Sequence, residues 1–162
     1  MMDPLHDDRL TLVGLLFESA TALRSQLDRA LERQVDLPLQ SFELLLRLAR
    51  SPGRHLRMSD LAAQTSLTPS GLTRAVDRLE RAGLVERAPC ASDRRGAYAA
   101  LTAPGLERIQ AAVGPHLDHV DEHLTGILDG GEQAQLAALL RKVRDHVNPA
   151  AVAAIPRDTV RA

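Results

Sequence analysis

The sequence predicts a mainly α-helical chain that carries one small β-hairpin. Three observations lead there. Aromatic residues are scarce, with Phe17, Phe42 and Tyr98 the full set. The core must therefore be Leu, Val and Ala, which favours helices over sheets. Apolar residues recur at helical spacing over long stretches at both ends of the chain, the signature of amphipathic helices. Only after Gly83 does the pattern change, to two short apolar runs on either side of a polar loop, which reads as a hairpin. A length of 162 residues suits one domain with enough chain to bury a core.

In chain order, Met1–His6 is expected to be loose, and residues 1–8 form a flexible start. Asp7 and Asp8 are acids suited to a helix N-terminus. From Arg9 to about Gln34, Leu12, Leu16, Ala20, Leu23, Leu27, Ala30 and Leu31 mark a long helix, and Val13, Leu15 and Phe17 widen its apolar face. Such a helix is too apolar to stand alone. Pro38 starts a second helix, in which Phe42, Leu45, Leu46, Leu48 and Ala49 follow at helical spacing until Ser51-Pro52-Gly53 ends it. Leu56-Arg57 is short and could add a third strand to the hairpin. Ser59–Thr65 is a short helix, and Ser66-Leu67 is a tight link to the next.

That next segment, Thr68–Gly83, carries its own start and stop. Thr68 can cap the first turn, Pro69 fits a first helical position whose amide has no partner anyway, and Gly83 supplies the left-handed residue that ends helices. Leu72, Val76 and Leu79 stand at i, i+4 and i+7 and form one buried stripe. The opposite face shows Ser70, Gly71, Thr73, Arg74, Asp77, Arg78 and Arg81. It is small and hydroxylated at its N-terminal end and arginine-rich beyond, which suits entry into a groove lined with phosphates and base edges. Two helices joined in this way form a helix-turn-helix, whose second member reads DNA. Leu84–Arg87 and Ala97–Leu101 are the strands, and the loop Ala88–Gly96 between them carries Arg94 and Arg95 at its tip. A hairpin of this kind directly after a reading helix makes a winged helix. Thr102 then caps a helix with Pro104 in its first turn, running to about Leu128 with a kink expected at Gly114-Pro115. Asp129–Glu132 has capping-box spacing. The last helix, Glu132 to about Val147, is expected to bury Leu136, Leu139, Leu140 and Val143. The Ala- and Pro-containing stretch 148–162 reads as a flexible tail.

Leu61-Ala62, the run Thr68–Arg87, Asp93-Arg94-Arg95-Gly96 and Leu101-Thr102-Ala103-Pro104-Gly105 together resemble the MarR family of bacterial transcription regulators, over roughly residues 9–147. The resemblance implies a winged helix-turn-helix lobe (38–101) flanked by dimerisation helices (9–35 and 102–147) that interleave with those of a second subunit. It also implies a homodimer on a pseudo-palindromic stretch of double-stranded DNA, acting as a repressor and released by a small aromatic or phenolic effector. Charge agrees in its distribution. Pro52–Leu101 holds eight arginines against five acids, while the remainder holds twelve basic residues against sixteen acids, so the positive surplus lies on the reading lobe.

The residues expected to contact DNA are Thr68, Pro69, Ser70, Gly71, Thr73, Arg74 and Arg78 in the reading helix and Asp93, Arg94 and Arg95 in the wing. Arg74 is expected nearer base edges and Arg78 nearer the backbone; the bland alternative is a solvated face with Asp77 and Glu80 as ion-pair partners. The family pattern implies that a wing arginine enters the minor groove, with Asp93 bracing the hairpin by pairing with an arginine. Leu16, Phe17, Phe42 and Leu46 could line an effector pocket and serve as readily as core. His116, His119 and His123 share one helical face, and His119 and His123 at i, i+4 could clamp a divalent metal. Some zinc-sensing relatives use two histidines of this helix; here only acids such as Glu18 or Glu43 could complete a site, so a dimer-arm or pocket-lining role is the better reading and no metal is assigned. Cys90, the single cysteine, excludes an intramolecular disulfide and reads as an exposed thiol, with redox sensing as the alternative. No nucleophile elbow, phosphate loop or paired carboxylates appear, so neither an enzyme nor a cofactor is expected. No apolar run approaches a membrane span and no signal pattern opens the chain, so the expected location is cytoplasmic. A metal- or redox-responsive sensor, or a winged helix used only for protein contacts, are the alternative readings.

Overall fold

The computed structural model describes residues 4–65, 67–90 and 93–149, and for 89, 90 and 93–96 the backbone alone. The expected tail beyond residue 149 and the first three residues lie outside them. Six α-helices and three strands are described: α1 Asp8–Val35, α2 Leu39–Arg50, β1 His55–Arg57, α3 Met58–Ala63, α4 Pro69–Arg81, β2 Val85–Cys90, β3 Asp93–Leu101, α5 Ala103–His123 and α6 Gly130–Val147. Short 3₁₀ turns sit at Pro4–His6, Pro52–Arg54 and Thr125–Ile127. The protein is therefore mainly helical, with a winged helix-turn-helix lobe between terminal helices.

The strands form one antiparallel sheet in the order β1-β3-β2. Leu56 pairs with Ala99, Val85 with Leu101 and Arg87 with Ala99. The expected third strand is thus present. The hairpin is longer than the 84–87 and 97–101 expected, because pairing continues through a register shift at Pro89/Cys90 to Cys90↔Asp93. Sequence patterning ended the strands early where side chains turn polar, but the backbone ladder needs no apolar side chains to continue.

The core is organised on α2. Phe42, Leu44, Leu45 and Leu48 are buried there, against Leu31 of α1, Leu61 of α3, Leu72, Val76 and Leu79 of α4, Val85, Ala99 and Ile109. The stripe expected on α4 is the buried one, with Ala75 added. Several helix ends are held by side chains far along the chain. Pro38 starts α2 without a side-chain cap, and Asp28 of α1 accepts from the Leu39 amide instead, at 2.7 Å. Arg108 of α5 donates to the carbonyls of Val35 and Asp36 at the end of α1, where a cation suits the helix dipole. Gly83 (φ +72°) ends α4: its amide donates to Glu80, and that of Leu84 to Leu79, a Schellman ending. Thr102 then caps α5 through the Gly105 amide and also donates to the Gly83 carbonyl at 2.7 Å. The arm helix is thereby anchored on the end of α4.

Two expectations about the arms change. The helix opened by Thr102 runs unbroken through Pro115 but stops at His123, five residues short of Leu128, because Leu124 leaves helical geometry (φ −141°, ψ −64°) ahead of the 3₁₀ turn. The capping box at Asp129/Glu132 forms as expected. In the single chain, α6 buries none of its residues, and Leu139, Leu140 and Val143 are exposed, as are Leu12, Val13, Leu15 and Phe17 of α1. These faces are apolar but have nothing within their own chain to pack on.

Candidate nucleic-acid interface

Helix α4 is built to stand out from the lobe with one face fixed and the other free. Its buried stripe sets its rotation about its own axis. Thr68 caps it by accepting from the Gly71 amide at 3.1 Å, and the Thr73 hydroxyl donates to the Pro69 carbonyl at 3.0 Å. Thr68, Pro69, Ser70, Thr73, Arg74 and Arg78 are all accessible, and Gly71 is partly so. The structure therefore brings the residues expected in the reading helix onto one accessible face.

The arginines on that face differ in their company. Arg74 has no hydrogen-bond or ion-pair partner among the described residues. Arg78 donates through Nη2 to Gln40 Oε1 of α2 at 2.8 Å, and Arg81 donates to the Asp77 carbonyl. The ion pairing expected as the bland alternative for Arg74 and Arg78 goes elsewhere. Asp77 and Glu80 both hold Arg87 of β2, at 2.6 Å and 2.9 Å. The Arg87 backbone amide also donates to Glu80, and its Nη2 reaches the Thr73 carbonyl at 3.4 Å. One guanidinium, matched to several acceptors by its fork of donors, thus ties the wing to three positions of the reading helix. Sequence reasoning missed this brace; the signal available was an arginine at the foot of the hairpin facing two acids at i, i+3.

Asp93, Arg94 and Arg95 begin β3 at the far end of the hairpin from the sheet's β1 edge. Their side chains lie outside the described ones, so the expected pairing of Asp93 does too, as does the thiol of Cys90. Near the sheet's base, Arg57 of β1 donates to the Tyr98 hydroxyl at 3.2 Å and lies 5.8 Å from that ring's centroid.

A profile of the MarR family matches residues 35–96. A MarR family transcriptional regulator of Streptomyces coelicolor, Sco3205, solved in complex with DNA, is 36% identical, with a TM-score of 0.81 over 90% of this chain and 91% of that one. A second from the same organism, AbsC, is 32% identical, with a TM-score of 0.80 over 90% and 98%. The HTH-type transcriptional repressor Mb2911 of Mycobacterium bovis is 31% identical over 84% of this chain and 95% of its own. The chain belongs to the MarR family. It is a DNA-binding transcription regulator of the winged-helix type.

Away from the reading face, this MarR-family chain separates the residues expected around an effector. Phe42 is buried, with its ring centroid 4.3 Å from that of His116. Leu46 is partly buried, and Leu16 and Phe17 lie exposed on α1. Phe17 instead borders a shallow groove along α1 with Thr21 and Ser25. The histidine face is present: the His119 and His123 rings stack 6.2 Å apart. Glu122 lies 3.1 Å from His119 Nδ1 and 3.7 Å from His123 Nε2, so the acid nearest the pair is Glu122 of the same helix, not Glu18 or Glu43. His116 has its pKa held below the usual imidazole value, chiefly by burial, with Glu43 acting against that and His119 with it. Among the described residues no helix is long and apolar enough to cross a membrane.

Proposed function

We propose that this regulator is a homodimeric, cytoplasmic repressor that binds a pseudo-palindromic duplex site and leaves it when a small effector binds. The observation that carries the reading is the exposed face of α4, with Arg74 unpaired among the described residues and the brace of Arg87 fixing the wing beside it. In the proposed complex Arg74 reads base edges in the major groove, Arg78 lies nearer the backbone, and Arg94 and Arg95 reach the adjacent minor groove. The exposed apolar faces of α1 and α6 support a second copy as partner. The experiment is a selection of bound duplexes from a random pool, followed by binding at several salt concentrations. The expected result is a two-fold repeated motif with half-sites about one helical turn apart and an affinity that falls steeply with salt, because phosphate contacts release counterions. Binding without a motif, or without salt dependence, would leave a winged helix used for protein contacts.

One observation favours a second reading, a metal-responsive regulator: donor atoms of His119, Glu122 and His123 all lie within 4.8 Å of one another. Metal analysis of the purified protein decides it. We expect His119→Ala and His123→Ala to change stability or effector response more than metal content; stoichiometric zinc, lost with both substitutions together with regulation, would establish the second reading instead.

A further inference from the structure

We propose that the cavity between α1, α2 and the turn ahead of α4 binds a small organic monocarboxylate, and that Glu43 changes arginine partners when it does. The proposal rests on the reading of an effector-released regulator and assigns that effector a site and a chemistry. The cavity measures about 330 Å³ and is lined by Arg24, Gln40, Glu43, Leu44, Thr65 and Leu67.

Arg24 of α1 donates two hydrogen bonds to the Glu43 carboxylate of α2, at 2.7 Å and 3.0 Å. Both side chains are well exposed, at 52% and 39%, so the pair is screened and easily exchanged. A guanidinium offers the same planar fork to any carboxylate. Glu43 has a second cation within reach. Arg47 stands at i+4 on the same helix, the spacing at which a glutamate meets a following basic residue. It is partly buried and makes no hydrogen bond or ion pair among the described residues. Burial and the charges of Arg144 and Arg50 disfavour its cationic form, and Glu43 favours it.

One carboxylate therefore faces two arginines and satisfies one of them. A ligand carboxylate on Arg24 releases Glu43 to Arg47, and both arginines are then paired. A neutral ligand gains nothing from this exchange, because it cannot replace the charge that Glu43 takes away. Thr65 and the Gln40 amide supply polar contacts, and Leu44 and Leu67 supply apolar wall. The exchange also has a route to DNA. Gln40 Oε1 accepts from Arg78 of the reading helix, while its amide nitrogen has no partner among the described residues and is available to donate to the ligand. Loss of the Arg24–Glu43 bonds also unties α1 from α2, which changes how the arm holds the lobe. The ligand acts through its different affinity for the two pairings of Glu43.

The probe is benzoate, with benzamide as the uncharged control, titrated calorimetrically into the full-length protein. Benzoate is expected to bind and benzamide not. Arg24→Gln should weaken benzoate by about tenfold or more, the worth of a charge-assisted pair of hydrogen bonds. Glu43→Gln should tighten it, because Arg24 is then free. Arg47→Gln should weaken it although Arg24 is intact, because the released Glu43 has no second partner. Opposite signs at Arg24 and Glu43 are what a merely structural ion pair would not give. Benzoate binding no better than benzamide in both the wild type and Glu43→Gln, or affinity indifferent to Arg24, would overturn the site. With the selected duplex, benzoate should lower DNA affinity in the wild type and not in Arg24→Gln. Gln40→Leu should retain benzoate binding and lose the response. Benzoate binding that leaves DNA affinity unchanged in the wild type would overturn the coupling. Benzoate binding by a protein that binds no duplex would instead sink the regulator reading, so the two failures are distinct.

Discussion

At the scale of single residues, the arginines of this lobe are separated by what already holds them. Arg74 is unpaired among the described residues, so contact with a base edge costs it no existing bond. Arg74→Ala should cost on the order of 1–3 kcal/mol of binding and flatten preference at one position per half-site. Arg94→Ala or Arg95→Ala should lower affinity with most of the preference kept and reduce the salt slope by about one for each phosphate left without its arginine. Operator selection on each variant at two salt concentrations measures both. If Arg74→Ala only shifted affinity, its assignment as the base reader would have to be withdrawn. His116 gives a pH prediction. Its folded pKa lies below the ordinary imidazole value, mainly through burial. Where both states are neutral, His116 adds no pH dependence. As pH falls through the ordinary value, the unfolded chain binds a proton that the folded chain resists, so stability declines; the decline ends below the depressed folded value. Urea unfolding of the wild type between about pH 7 and pH 5 should therefore lose more stability than His116→Leu does over the same window. Parallel pH profiles would show that the imidazole is not held neutral.

At the scale of elements, the joints carry the architecture. Arg87 joins wing to reading helix through Asp77, Glu80 and the Thr73 carbonyl. Its side chain is 30% exposed, so Arg87→Ala should cost about 1–2 kcal/mol of stability. Arg87→Lys should recover only part, because a lysine is a point charge without the fork. Chemical unfolding measures the first effect, and duplex affinity should fall alongside it as the wing loses its fixed angle. Gly105 is a second joint. A Cβ there would stand 2.0 Å from the Leu84 carbonyl oxygen, which is backbone and cannot swing aside. Gly105→Ala should therefore cost about 1–3 kcal/mol, as overpacking does, and a thermal midpoint unchanged from wild type would show that α5 is not seated on that turn. These joints also mark what the sequence could tell. Each helix with a local cap was legible: Thr68, Gly83, Thr102 and the Asp129/Glu132 box act over three or four residues, and so does the stripe Leu72, Val76 and Leu79. Asp28 capping Leu39, Arg108 capping α1 and Arg87 gripping α4 join positions that only the folded chain brings together, and no local pattern announces them. The reading face was visible because helical periodicity alone defines it. The cavity beside Arg24 was not, because it takes residues from two helices and a turn.

At the scale of the whole molecule, the apolar residues that the single chain leaves exposed are concentrated in its arms. Leu10, Leu12, Val13, Leu15 and Phe17 lie on α1, Leu117 on α5, and Leu139, Leu140, Val143 and Val147 on α6, whereas the reading helix buries its apolar stripe. Fully burying a side chain of this kind contributes about 1.5–3 kcal/mol, so a partner that covered even half of them would hold firmly. A dimer presents two α4 helices to the duplex. Once the first has bound, the second meets its half-site at high effective concentration. Charged substitutions within the arm faces, such as Phe17→Glu with Leu139→Glu, should therefore produce monomers by sedimentation and make the urea midpoint independent of protein concentration. Affinity for the full site should fall by about 10²–10⁴-fold. Affinity for an isolated half-site should stay near the wild-type value, because α4 and the wing share no residue with the substituted faces. A monomeric variant that still bound the full site as tightly as the wild type would show that one lobe suffices, and the paired geometry would have to be abandoned.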